Sequence, residues 1–295
     1  MNRSIVVVGA ALLAASALVI TSRPAPAAGK EYKVVEVKDG GKIHGFAKLK
    51  AKVDRGIVSV FKDNEKGCGE KEQKSQRLVY DDATLGVGNV VVFLKSIDQG
   101  KDWPESMRSE ERTVTIDQKG CQYIPHVQWG RPGTQAVVLN SDRADHNIHG
   151  FKSTIEKTSL SDTKFNFASE PDTKKDTIAD AFLEDAAKYI IKCDIHPWMN
   201  AYVFIVPHPY YVVTTAADGE GCKAGEFTLA DVPPGEYELL WWKEGIKETA
   251  QESGGKISAY NYGPDVMPEA PIKVKVEAGK TAADIEILID GTPKD

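Results

Sequence analysis

Cys193, His196 and Met199 stand within seven residues of one another, in Lys192-Cys193-Asp194-Ile195-His196-Pro197-Trp198-Met199. A thiolate, an imidazole and a thioether are three of the four groups of a mononuclear blue-copper site, in which one Cys and two His form a trigonal plane under a weak axial Met. Soft sulfur ligands favour Cu(I) and imidazoles tolerate Cu(II), so the set suits one-electron chemistry. Tyr189-Ile190-Ile191 before it and Ala201-Tyr202-Val203-Phe204-Ile205-Val206 after it are β-branched and aromatic runs that read as strands. The three groups therefore lie on a short loop between two strands, free to turn toward one point.

The fourth ligand must come from elsewhere and should be a His. The chain has six: His44, His126, His146, His149, His196 and His208. Two of them lie in Asn140-Ser141-Asp142-Arg143-Ala144-Asp145-His146-Asn147-Ile148-His149, directly after the strand-like Thr134 to Leu139. The pattern N-x-D…H-N-[IV]-H upstream of C-x-x-H-x-x-M resembles the cupredoxin family, and its short ligand loop is similar to that of the plastocyanin and amicyanin type. The resemblance implies one type 1 copper held by His146, Cys193, His196 and Met199, with His146 rather than His149 as the upstream ligand. It also implies that Asn140 ties the two ligand-bearing loops together by hydrogen bonds. His126, in Cys121-Gln122-Tyr123-Ile124-Pro125-His126-Val127, is read as a structural His, because the ligand set is full without it.

Four cysteines, Cys68, Cys121, Cys193 and Cys222, fit an exported protein. Both Cys68, in Gly67-Cys68-Gly69, and Cys121, in the C-x-Y-x-P-H-V motif, look like the paired cysteines of exported cupredoxin-like proteins, which implies a Cys68–Cys121 disulfide. Cys222 is then the odd thiol. Sequence alone leaves connectivity open, and a disulfide at Cys193 would abolish the copper reading.

Residues 1–28 carry Arg3, an apolar run from Ile5 to Ile20 and an Ala25-Pro26-Ala27 cleavage pattern, so a removed signal peptide and a periplasmic or extracellular protein are expected. The run falls short of the ~20 residues of a spanning helix, and no later stretch is long enough; the rival is an uncleaved anchor. The formal net charge of -6 does not suit nucleic acid and would suit a basic redox partner, whose identity the sequence leaves unknown.

The positioning elements are all short. Tyr32 to Val37, Gly41 to Leu49, Gly56 to Phe61, Asn89 to Leu94 and Arg112 to Asp117 read as strands, with a polar loop between Gln99 and Glu111. Thr177 to Lys188 has the Ala, Leu and Glu content of a short helical turn. Pro207-His208-Pro209 makes a natural hinge. Beyond it, V-T…D-G…F-x-L-x-D-V-P-P-G-x-Y-x-L…W looks like the transthyretin-like, carboxypeptidase-regulatory type of sandwich. The expected fold is all-β: a Greek-key cupredoxin sandwich over 29–206 with an N-terminal β extension, then a smaller transthyretin-like sandwich over 207–295. The expected function is an exported one-electron carrier and not an enzyme, since no nucleophile elbow, phosphate loop, HExxH or His-x-His pair is present. The alternative is a protein that holds or delivers copper, or a surface protein whose C-terminal sandwich binds a partner or glycan.

Overall fold

Alternation sets the first sandwich. In Thr113–Gln118 the residues Val114, Ile116 and Gln118 are buried while Thr113 and Thr115 face out. Gln135–Asn140 repeats this with Ala136, Val138 and Asn140. The two strands pair in parallel with Ala136 opposite Val114, Val138 opposite Ile116 and Asn140 opposite Gln118, so the inward residues stack in one layer. Asp176–Ile178 and Tyr123–Ile124 complete this sheet at its two edges. The facing sheet has the order Thr163–Ser169, His146–Ser153, Ala187–Lys192, Asn200–Ile205, Val127–Gly130. Ala187–Lys192, the strand that runs into Cys193 (the Cys strand), and the next, Asn200–Ile205, are buried almost throughout, as central strands covered on both faces should be. This is the computed structural model of the chain, and the residues it describes are 31–53, 57–59, 67–68, 72–172, 176–178, 186–219, 222–254 and 256–292. The expected signal segment, 1–28, lies outside them.

Two expectations are corrected here. The stretch from Thr177 was read as a helical turn. Asp176–Ile178 is instead a strand, antiparallel to Ala136–Val138, and Ala187 already belongs to the Cys strand. Pairing with a sheet outweighs a local helix preference of a few tenths of a kcal/mol per residue, about the size of such propensities. Residues 179–185 lie outside the described set. The Gln99 to Glu111 loop contains one helical turn, Glu105–Arg108, the only helix among the described residues. The chain is thus all-β, two packed sandwiches with short accessory strands.

The second sandwich draws on both ends of the chain. One sheet has the order Tyr211–Val213, Val91–Leu94, Gly235–Trp242, Ile272–Val276; the other has Glu226–Val232, Gly41–Leu49, Thr281–Ile289. The strands Gly41–Leu49 and Val91–Leu94, grouped from the sequence with the copper-binding stretch, are therefore hydrogen-bonded to C-terminal strands. Val91–Leu94 is buried along its whole length because each face meets a different core. Val91 and Phe93 pack with the first sandwich, Val92 and Leu94 with the second. Trp242 and Trp241 divide in the same way, one residue apart. Residues Tyr32–Asp295 consequently form one compact unit. No helix among the described residues is long and apolar enough to cross a membrane.

Candidate metal centre

The Cys strand and its successor pair antiparallel with Ile191 opposite Ala201 and Lys192 opposite Asn200. Cys193 to Met199 is the loop that closes this hairpin. The Cys193 N–H donates to the Met199 carbonyl at 3.2 Å, and the Met199 N–H to the His196 carbonyl at 2.9 Å. The loop is thus folded back on itself, with Cys193, His196 and Met199 all buried. The His196 N–H also points at the Cys193 sulfur, 3.4 Å away.

His146 is the first residue of its strand, His146–Ser153, which lies beside the Cys strand. His146 and His149 differ by an odd number of positions and so face opposite sides. His146 is buried at the loop; His149 turns outward to the Asp194 carboxylate at 3.0 Å and the Thr163 hydroxyl at 3.1 Å. Gly150 can be nothing larger, since a Cβ there would meet the Phe165 ring across the strand pair at 1.8 Å.

Three donor atoms converge. The Nδ1 atoms of His146 and His196 are 2.8 Å apart, and the Cys193 Sγ is 3.7 Å from the His196 Nδ1. A metal bonded to sulfur at ~2.3 Å and nitrogen at ~2.0 Å with a trigonal angle of ~120° would set those two atoms ~3.7 Å apart, so the Cys–His separation fits a metal plane. The two imidazole nitrogens would need to part by only a few tenths of an ångström, to about 3.1–3.5 Å, for bonds of that length. Met199, at the end of the loop, is 1% exposed and packs in the same core as Cys193.

The electrostatics favour a thiolate. Burial opposes ionisation of Cys193, but hydrogen bonds from the His146 and His196 rings and from the backbone of Asn147 and His196 bring the thiol down from 9.0 to about 6. Burial likewise opposes a charge on His146, yet Asp142 and Cys193 together raise its pKa. The pair resembles a thiolate–imidazolium couple whose proton a cation could replace.

Outside the three donors the structure adds partners that the sequence reading did not assign. Asp142 accepts from the Gly120 N–H at 2.6 Å, the Cys121 N–H at 2.8 Å and the His146 Nε2–H at 3.0 Å. Burial would raise this carboxyl, but His146 and the two backbone donors hold it below its ordinary range. An ionised Asp142 fixes the proton on Nε2 and leaves Nδ1 free, as a carboxylate behind a ligating His does. Asp142 is the Asp of the N-x-D pattern, so its position was legible and its role was not.

Asn140 was expected to tie the two ligand loops together; among the described residues none of its hydrogen bonds reaches the Cys193–Met199 loop. Its Nδ2 donates to the carbonyls of Ala144, Ser169 and Glu170 at 2.9–3.0 Å, and its Oδ1 accepts from the Asp142 N–H at 3.0 Å. As the inward residue at the end of its strand it braces the His146 loop and Asp142. The tie is Asn147, which accepts from the Asp194 N–H at 2.6 Å and donates to the Asp194 carboxylate at 2.9 Å. Asn147, directly after His146, lies close enough to the Cys193–Met199 loop to bond Asp194, whereas the bonds of Asn140 go to Asp142, Ala144, Ser169 and Glu170.

Cys68 and Cys121 form a disulfide with their Cα atoms 5.1 Å apart. It sits over the imidazoles: Cys121 Sγ is 3.9 Å from His146 Nε2, and Cys68 Sγ is 4.0 Å from His196 Nε2. Gly67 permits this approach, since a Cβ there would lie 2.3 Å from the Arg143 backbone. Trp198 closes the remaining side, its ring 5.2 Å from that of His196 and its Nε1–H donating to the Cys121 carbonyl at 3.0 Å. Cys193 and Cys222 are free. His126 is buried elsewhere, paired through Nε2 with the Glu244 carboxylate. His44 pairs with Glu226, and His208 is buried among Tyr32, Tyr210 and Tyr211.

No protein-family profile matches the chain, and no curated protein matches it in sequence. Solved structures do. The chain is 16% identical to amicyanin from Paracoccus versutus, with 39% of this chain and 96% of that one covered at a TM-score of 0.26. A methionine-to-glutamine mutant of amicyanin in its Cu(I) form is 14% identical, over 32% of this chain and 81% of that one, at 0.25. A copper-containing nitrite reductase from Thermus scotoductus is 19% identical, over 32% of this chain and 22% of that one, at 0.24.

Proposed function

We propose that the chain is a type 1 copper protein that carries one electron, with His146, Cys193 and His196 as the equatorial ligands and Met199 as the axial one. The observation that supports this best is the convergence of two imidazole Nδ1 atoms and one thiolate-prone Sγ in a buried pocket. Bound copper would supply a Cu(I)/Cu(II) couple. The protein's part is to hold its donors still. Asp142 keeps the His146 proton on Nε2, Asn147 locks the two ligand loops, and the disulfide with Trp198 excludes water from the imidazole edges. A site that cannot rearrange suits both oxidation states and keeps reorganisation small. The chain's own acidic balance suits a basic redox partner in an exported compartment. The C-terminal strands are read as a transthyretin-like sandwich, without catalysis of their own.

One observation favours the second reading, a protein that holds or delivers copper: His196 is only 4% exposed, so no ligand ring edge lies open at the surface. An absorption spectrum of the copper-loaded protein tests the site, and voltammetry separates the readings. An intense thiolate-to-copper band near ~600 nm, lost in Cys193→Ala, is expected of a His₂Cys site. A colourless Cu(II) form of the wild type would sink the assignment. A blue protein without reversible reduction would leave storage or delivery as the function.

A further inference from the structure

We infer that the C-terminal segment from Glu244 to Tyr262, which includes the two-stranded hairpin of Glu248–Ser253 and Lys256–Tyr262, is a positioning element for the ligand loop, acting through Tyr262 on Pro197 and through Glu244 on Asn200. The inference goes beyond the copper reading and, in its first readout, does not depend on it.

Pro197 follows His196 directly. It has no N–H, so its carbonyl is its one hydrogen-bonding group. That carbonyl accepts from the Tyr262 hydroxyl at 3.0 Å. At the other end of the loop, directly after Met199, the buried Asn200 donates through Nδ2 to Glu244 Oε2 at 3.4 Å. Both residues of the clamp come from the C-terminal segment, and they grip the positions flanking His196 and Met199. The loop's backbone–backbone hydrogen bonds run inward, from Cys193 to Met199 and from Met199 to His196. The clamp adds outward anchors beside those of Asp194 to Asn147 and Trp198 to Cys121.

The clamp is rigidly backed. The Arg77 guanidinium lies 3.3 Å from the centre of the Tyr262 ring, which fixes where the hydroxyl points. Arg77 is held by Glu244 at 3.3 Å and Glu248 at 3.2 Å, and its Nη1 donates to the Gly245 carbonyl at 2.9 Å. Glu244 is fully buried and also meets His126 Nε2 and Lys243 Nζ. Burial would raise its pKa, but His126, Lys243 and Arg77 hold it far below the ordinary carboxylate range. Around this hub Trp242 packs edge-on to Tyr202 and Phe204 of the strand that leaves the loop, with ring centres 4.8 and 4.9 Å apart. An ionised carboxylate so enclosed cannot move without leaving cations unpaired, so it is a stiff point of attachment.

The test is Tyr262→Phe, which removes the hydroxyl and keeps the ring over Arg77. Tyr237→Phe is the control: it deletes a similar bond, to the Pro233 carbonyl at 2.8 Å, in the second sandwich and away from the loop. In the metal-free chain, amide hydrogen exchange at Cys193 and Met199 should quicken about five-fold in Tyr262→Phe, the scale of one lost hydrogen bond, and stay unchanged in the control. In the copper-loaded chain the charge-transfer band and the reduction potential should shift in Tyr262→Phe alone. Unchanged loop exchange in Tyr262→Phe, or equal acceleration in both variants, would overturn the inference. A colourless wild type would refute the copper reading while leaving the exchange result to decide the clamp.

Discussion

Replacing Asp142 by Asn should weaken copper binding and raise the reduction potential, and the structure sets the scale. The Asp142 carboxylate accepts three hydrogen bonds, from Gly120, Cys121 and the His146 ring. An amide of the same shape has one acceptor oxygen and one NH₂ group, so one N–H donor must face an N–H. A buried donor left unpaired costs about 1–3 kcal/mol, which the metal-free variant should lose in urea denaturation. The negative charge behind His146 disappears as well. Removing such a partner typically lowers metal affinity ~10- to 100-fold. The anion favours Cu(II) over Cu(I), because the more highly charged ion gains more from a more basic imidazole. If the loss falls on Cu(II), one electron and a tenfold change correspond to ~59 mV, so the potential should rise by ~60–120 mV. Chelator competition measures the affinity and cyclic voltammetry the potential. A variant with wild-type affinity and a potential within a few millivolts would show that Asp142 does not act on the metal through His146.

Two other outcomes are expected. His146→Ala should abolish the blue band while His149→Ala retains it, because the two rings sit on opposite faces of one strand; the reverse absorption spectra would mean the wrong ring had been chosen. His208 contributes one part of the acid-side pH dependence. Burial pushes it down to about 4, and its Nε2 has no hydrogen-bond partner among the described residues. The folded state therefore keeps the ring neutral, and the unfolded chain takes up the proton first. This contribution is complete above the ordinary His pKa of ~6.5 and is lost as the pH falls through ~4, at most about 3 kcal/mol. Urea titrations at pH 7 and pH 4.5 should show a smaller acid loss in His208→Gln than in wild type, and an equal loss would exclude His208 as the source.

Local pattern made the centre of this site readable. Cys193, His196 and Met199 lie on one hairpin loop, and a seven-residue separation is geometry that sequence spacing reports directly. The alternation that buries Val114, Ile116, Ala136 and Val138 is equally local, because side chains of a strand point to alternate faces whatever the strand pairs with. The same period puts His146 and His149 on opposite faces, but the choice of His146 comes from the resemblance to the cupredoxin family, not from the period. Tertiary structure decided everything that depends on which strands meet. Gly41–Leu49 and Val91–Leu94 carry no mark of their pairing with strands near the other end of the chain, and Asp176–Ile178 was drawn from a helix-like sequence into a sheet edge by its neighbour. The role of Asp142, the tie through Asn147 instead of Asn140, the disulfide over the imidazoles and the grip of Tyr262 on Pro197 all join residues that become neighbours only when loops of different strands meet. Hydrogen bonds act over about 3 Å, a distance that chain spacing cannot report for residues far apart in sequence.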